Sequence, residues 1–314
     1  MPVKTLTEVQ KQRVSEVNYD FDSAEKEIVN ACDLCGEEKL TVIAQHDRYL
    51  FRTKGLLCRC GNCFISPRLT EKSADHFYAN YYRSLISAWW GRNIDAVGIQ
   101  QDQKIYTERL IEQFDHFGID KNKINSIIDI GGSTGVMLSG LDQWLGGGRR
   151  LVNVDPAEKE TDISISSGIE TKKQFIENLE IDEKFDLVLM CWAVDHLRSV
   201  KTALKKIRSI MHRNSYFWID FVDFEKILDK KQSAEGSIKI DHNFNLTDVV
   251  LEEYLHTCGF EVLRKIVAID KWHIGYICKI DKPKKLNLKK LKSHGFDLYD
   301  RIRKLNEEFE DENF

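Results

Sequence analysis

Between residues 126 and 221 the chain repeats one pattern: a short β-branched run, a break, then helical text. SIIDI (126–130) is closed by glycines and followed by a helix-like stretch over 136–145. RLVNV (150–154), the neighbourhood of Ile169, DLVLMC (186–191) and YFWIDF (216–221) are further strand candidates, with VKTALKKIRSIM as helical text between them. Short continuous apolar runs suit strands buried on both faces, and intervening helices make βαβ units. The expectation is an α/β fold built on a mostly parallel sheet covered on both sides. After a helix ending at the corner 258–260, EVLRKIVAI and HIGYICKI read as a closing antiparallel hairpin around Asp270 and Lys271.

The stretch IIDIGGSTG places Asp129 at the end of the first strand of this series, with Gly131, Gly132 and Gly135 before the helix. Glycines let the backbone turn sharply and let a ligand lie against it, and the free N–H groups of the next helix can bond that ligand. The spacing is not the G-x-G-x-x-G that seats a pyrophosphate. A carboxylate here suits the amino-acid part of S-adenosylmethionine (SAM) better than a phosphate. One βα unit later, NVDP puts Asp155 and Pro156 at a strand end, where an acid accepts hydrogen bonds from ribose hydroxyls.

These residues resemble the first motif of the class I SAM-dependent methyltransferases: acid, any residue, Gly, any, Gly, any, Gly. Ser133 stands at the middle glycine, which narrows the turn's conformational options. With FDLVLMCWAVDHL, similar to the family's fourth-strand segment, and the final hairpin, the resemblance spans roughly residues 120–280. It implies a Rossmann-like methyltransferase sheet with SAM bound by Asp129, Gly131, Gly132, Ser133, Gly135, Asp155, Pro156 and Cys191. Adenine contacts are expected around Phe175 and Ile176.

Five of the eight cysteines crowd between Cys32 and Cys63. Cys32 with Cys35, and Cys60 with Cys63, form two CxxC pairs; four thiolates satisfy a tetrahedral zinc ion with no open position, a structural site. Cys58 reads as a spare packed or exposed thiol. The text after the second pair, CRCGNCFISPRLTEKSADHFYANYY, resembles the zinc-bearing N-terminal part of bacterial sugar methyltransferases, which act on carbons or hydroxyls of nucleotide sugars and glycans. That resemblance implies carbohydrate biosynthesis and a small-molecule or glycan acceptor.

A sugar hydroxyl, or a carbon beside a keto group, needs a base near neutral pH, and histidine is suited to it. His242, in KIDHNFNLTDVV, is expected in the loop after the fifth strand, and in the resembling C-methyltransferases an acid–His pair at such a place is tied to proton abstraction; Asp241 and His242 match it with Asp for Glu. His196, in VDHL, follows the fourth strand and reads more readily as a structural residue. Tyr78 and Tyr82, one helical turn apart, can both face an acceptor.

The organisation read from the text is a lead-in over 1–30, a zinc-ribbon-like module over 31–70 and a Tyr- and Trp-rich helical cover over 71–118. The SAM-binding catalytic domain follows over 119–281, then a basic segment with an amphipathic helix over 282–314. Leu298, Ile302, Leu305 and Phe309 lie at helical spacing, for docking or for a homodimer. A net charge of −4 argues against nucleic acid as the main partner. With no apolar run of membrane-spanning length and no signal-peptide core, a cytoplasmic protein is expected. The competing readings are a methyltransferase acting on RNA or protein, or a SAM-binding scaffold without activity.

Overall fold

In the computed structural model, residues 6–311 are described. The chain opens with α1 (Glu8–Glu16), β1 (Lys26–Glu27), β2 (Leu40–Ala44), β3 (Lys54–Cys58), β4 (Cys63–Ser66) and β5 (Arg68–Leu69), followed by the cover helices α2 (Glu71–Asn80), α3 (Tyr82–Trp90) and α4 (Ala96–Phe117). The alternating region runs β6 (Ser126–Ile130), α5 (Val136–Trp144), β7 (Arg150–Val154), α6 (Glu158–Ser166), β8 (Glu170–Lys172), β9 (Phe185–Met190), α7 (Val200–Ser209) and β10 (Met211–Val222). Then come α8 (Phe224–Lys231), β11 (Phe244–Asn245), α9 (Asp248–Thr257), β12 (Phe260–Val267), β13 (His273–Ile280) and α10 (Leu288–Asp311).

The main sheet has seven strands in the order β12-β13-β10-β9-β6-β7-β8. β8, β7, β6, β9 and β10 are parallel, and β13 pairs antiparallel with both β10 and β12. This is the expected mostly parallel sheet with a closing hairpin. The chain leaves β6 toward β7 on one side and later returns to β9 on the other. The crevice beyond the carboxyl end of β6 is therefore the switch point where open α/β sheets bind ligands. Ile127, Ile128, Val188, Leu189 and Phe217 are fully buried, as strands covered on both faces require. α7 shows how a covering helix is specified: Ser199 caps it by accepting from the Thr202 amide, and Val200, Ala203, Leu204 and Ile207 fall on one buried stripe.

The cysteine-rich segment forms a second sheet, β11-β4-β3-β2. Its outer strand β11 comes from the segment between α8 and α9, pairing Phe244 with Phe64 and Asn245 with Cys63. Cys32, Leu56, Cys58, Cys60 and Phe64 share one continuous apolar core with Val188, Phe217 and Tyr254. A buried carboxylate adds a polar tie. Asp47 accepts the amides of Tyr49 and Phe51 on Oδ1 (2.9 and 3.0 Å) and that of Ile240 on Oδ2 (2.9 Å), while the Arg48 amide donates to the Ile238 carbonyl (2.9 Å). The loop after β2 thus holds residues 238–240 in place.

The C-terminal helix docks on its own chain. Leu291, Leu298 and Ile302 are buried, the last two against Ile43, Leu57 and Phe224. The side chain of Phe309, expected on the same face, lies outside the described residues. Gly295 seats this helix on the turn between β3 and β4, since a Cβ there would stand 2.3 Å from the Arg59 carbonyl oxygen and 2.7 Å from the Gly61 nitrogen. Among the described residues no helix is long and apolar enough to cross a membrane.

Two substitutions test this assembly. Gly295→Ala forces backbone apart and is expected to cost about 2 kcal/mol, seen as a lowered Tm. Asp47→Ala strands three amides and is expected to cost about 3 kcal/mol, with hydrogen exchange accelerating first at Ile240. Wild-type exchange at Ile240 in that variant would disprove the clamp.

Candidate active site

The glycine loop after β6 lies under a cleft of about 230 Å³, walled by Gly131, Ser133, Asp155, Pro156, Phe175, Ile176 and Cys191 on the sheet side and by Tyr78, Tyr82 and His196 on the cover side. Ten of the residues expected from sequence therefore meet around one space. Asp129, Gly132 and Gly135 lie behind the wall. Gly132 is pressed between side chains, because a Cβ would come within 2.4 Å of Asn153 Oδ1 and 2.8 Å of the Asp129 carboxyl. Ser133 adopts φ +50, the left-handed turn that the replaced glycine would take easily. Two hydrogen bonds compensate: its amide donates to Asp155 Oδ2 (2.9 Å), and its carbonyl accepts from Asn153 Nδ2 (2.8 Å).

Asp155 also accepts the Ala157 amide on Oδ1 (2.8 Å). Each oxygen keeps lone pairs for a ligand hydroxyl. Burial pushes this carboxyl up to about 6 although those two amides oppose it. Asp129 differs: it is fully buried and neither carboxylate oxygen has a hydrogen-bond partner. Burial, with the charges of Asp155 and Asp220, pushes its carboxyl up to about 7. An orphaned buried carboxylate is costly by itself and fits a cationic group placed above the loop. The residues present thus fit the amino-acid end and the ribose of SAM.

Sequence reading missed several wall residues. Gln103 of α4 bonds the hydroxyl of Thr134 (2.5 Å), and Arg83 of α3 pairs with Glu160 of α6 (2.8 Å) across the cleft mouth. Trp192 stands at φ +53 with its amide bonded to Asp220 Oδ1 (2.8 Å) and its ring 4.4 Å from that of Tyr106. Only Trp192 carried a signal, as the residue directly after Cys191.

On the cover side, Tyr78 and Tyr82 sit with ring centroids 5.0 Å apart, the helix break at Tyr81 notwithstanding. The Tyr78 hydroxyl meets His196 Nδ1 at 2.8 Å. His242 lies behind His196, rings 4.6 Å apart, and does not itself wall the cleft. Its Nε2 is 3.7 Å from Asp241 Oδ2 and its Nδ1 3.8 Å from Asp195 Oδ2. Lys239 Nζ is 3.7 Å from Asp241 Oδ2, and both Asp241 oxygens are buried without a hydrogen bond. Burial lowers both imidazoles, His196 to about 4 and His242 well below its ordinary value, and the positive charge of Lys239 acts in the same direction. Asp241 is held below the usual carboxylate range: burial opposes ionisation, but Lys239, His196 and Arg48 outweigh it. Both histidines are therefore neutral at neutral pH, beside a carboxylate that can steady the protonated form.

Beside the turn between β3 and β4 four sulfurs converge, those of Cys32, Cys35, Cys58 and Cys60, all within 4.8 Å of one another. The Cys32–Cys60 and Cys35–Cys58 separations are 3.5 Å, near the ~3.8 Å between sulfurs on a tetrahedral zinc ion. The set corrects the sequence expectation, in which Cys63 was the fourth ligand and Cys58 the spare. Cys63 pairs with Leu57 across β3 and β4, and paired residues share a sheet face. It therefore points with Leu57 into the apolar cluster around Ile43 and Phe224, while Cys58, one residue on, points to the opposite face.

Residues 128–219 match the methyltransferase domain family. Curated protein sequences give no match. Similar solved structures include an S-adenosylmethionine-dependent methyltransferase from Clostridium acetobutylicum (17% identical, covering 66% of this chain and 99% of that one, TM-score 0.49). Another is a SAM-dependent methyltransferase from Leishmania major (13%, 66% and 82%, TM-score 0.48). A third is the magnesium protoporphyrin IX methyltransferase of Synechocystis with bound SAM (13%, 66% and 97%, TM-score 0.47). The family match begins in β6, takes in the glycine loop and Asp155, and ends in β10: residues 128–219 carry a methyltransferase domain.

Proposed function

We propose that this methyltransferase acts on a sugar nucleotide or glycan, with His242 as general base and a structural zinc ion in the N-terminal module. The observation that carries the reading is the group Tyr78, Tyr82 and His196, which wall the cleft with Ser133 and Asp155, backed by Asp241 and His242 directly behind His196. The sugar class rests on the resemblance of the cysteine module and the Asp–His pair. SAM supplies an electrophilic methyl group. Asp129 neutralises the amino-acid end, Asp155 accepts from the ribose, and Phe175 and Ile176 bound the adenine side. Tyr78 and Tyr82 orient the acceptor hydroxyls, His242 takes the acceptor proton, and Asp241 stabilises the imidazolium that results. His196 bridges Tyr78 and His242 as a positioning residue.

Calorimetric titration with SAM is expected to show micromolar binding that Asp155→Ala abolishes. His242→Gln is expected to leave SAM affinity intact and lower kcat by about 100-fold or more on a screened sugar nucleotide. Since burial holds the His242 imidazole well below its ordinary pKa of ~6.5, kcat at saturating SAM should show no loss as pH falls through that ordinary imidazole range, with loss only at lower pH. If His196→Gln removes turnover and His242→Gln does not, the base is His196; if neither matters, the histidine mechanism fails.

The four thiolates at Cys32, Cys35, Cys58 and Cys60 would hold zinc with no position left for substrate. Metal analysis is expected to give about one zinc per chain. Cys58→Ser should lose the metal and lower Tm, whereas Cys63→Ser should retain it; the opposite result would restore the paired CxxC ligand set.

A further inference from the structure

Beside the acceptor-side group lies a cationic corner that methyl transfer does not use. The Arg48 guanidinium sits 4.4 Å from the Trp89 ring centroid and 4.8 Å from that of Tyr49. Lys231, at the end of α8, stands 5.2 Å from the same Trp89 ring. One Arg48 nitrogen donates to the Tyr49 hydroxyl (2.6 Å), but its Nε is buried without a partner. Among the described residues neither Arg48 nor Lys231 forms an ion pair. The nearby acids are committed elsewhere: Asp47 to three backbone amides, and Asp241 to Lys239 and His242.

Two cations sharing one indole ring repel each other, and the ring quadrupole offsets this only in part. The burden shows on Lys231, whose ammonium is lowered by burial, by Arg48 and by Lys230. Asp241 feels the charge of Arg48 but forms no ion pair with it, and among the described residues no carboxylate pairs with Lys231. The corner is also tied to the reacting groups. The Arg48 amide holds the Ile238 carbonyl at 2.9 Å, and the charge of Arg48 is felt by both Asp241 and His242.

We infer that Arg48 and Lys231, framed by Tyr49 and Trp89, form an anion subsite for a phosphate ester or diphosphate carried by the methyl acceptor. The inference rests on the proposed placing of the acceptor at Tyr78, Tyr82 and His242. A dianion matches the two unpaired positive charges, which a single carboxylate does not. Arg48, whose buried Nε lacks a partner, and Lys231 beside it as a point charge suit phosphate oxygens spread over several directions.

The test is equilibrium binding of inorganic pyrophosphate to the full chain, with SAM titrated in parallel and sodium chloride matching the ionic strength. Pyrophosphate is expected to bind wild type, and Arg48→Met and Lys231→Met are each expected to weaken it at least about tenfold with SAM affinity unchanged. Arg48→Lys, which keeps the charge but not the fork, should fall between. If Arg48→Met fails to fold, Lys231→Met at a half-buried helix end decides. Pyrophosphate binding no stronger than the salt control, binding indifferent to both substitutions, or malonate bound as tightly as pyrophosphate would each overturn the phosphate subsite. Absence of SAM binding in folded wild type would instead strike the methyltransferase reading, so the two failures are distinguishable.

Discussion

The pairing of β11 with β4, reinforced by the Asp47 carboxylate, joins two sheets that would otherwise be separate layers. Residues 238–245, which follow α8, receive the Asp47 clamp at Ile240 and end as the outer strand of the cysteine sheet. Asp241 and His242 lie between these two attachments. Their position depends on backbone hydrogen bonds to the N-terminal segment, and burial of those bonds makes each costly to lose. The cysteine sheet consequently does more than decorate the catalytic sheet: it supplies the frame on which the proposed base is hung.

That frame is closed from outside by α10. Gly295 brings the helix against the turn that carries Cys58 and Cys60, and His294 Nε2 lies 2.8 Å from Thr247 Oγ1 at the cap of α9. Loss of order at the sulfurs would thus be felt along β3 and β4, through β11, and at Asp241 and His242. The proposed metal at the four sulfurs and the proposed base would thus be two ends of one packed route, without any need for the metal to touch substrate.

Much of the parallel sheet was legible in the sequence because its signals are local. SIIDI, RLVNV and HIGYICKI are strands over the ranges read from the text, and the glycine loop could be placed from the strand before it and the helix after it. Which cysteines cluster was not legible, because spacing alone favoured Cys60 with Cys63. The choice is made by alternation across β3 and β4, which turns Cys63 toward Leu57 and leaves Cys58 with Cys60, a register that depends on where the turn falls. The Asp47 clamp was harder still: it joins positions 193 residues apart, and neither QHDRYL nor KIDHN signals the other.

The acceptor side shows the same limit and its physical origin. Tyr78 and Tyr82 come from the cover helices, His196 from the loop after β9, Asp241 and His242 from the clamped segment, and Arg48 from the loop after β2. The glycine loop is encoded in one contiguous motif and Asp155 ends the very next strand, so both signals are local. An acceptor is met from several directions, so its recognition is distributed over segments that only the fold assembles. Hence the methyl donor could be read from sequence, while the proposed acceptor chemistry rests on charge and burial: two neutral histidines beside an ionised Asp241, and two cations over Trp89.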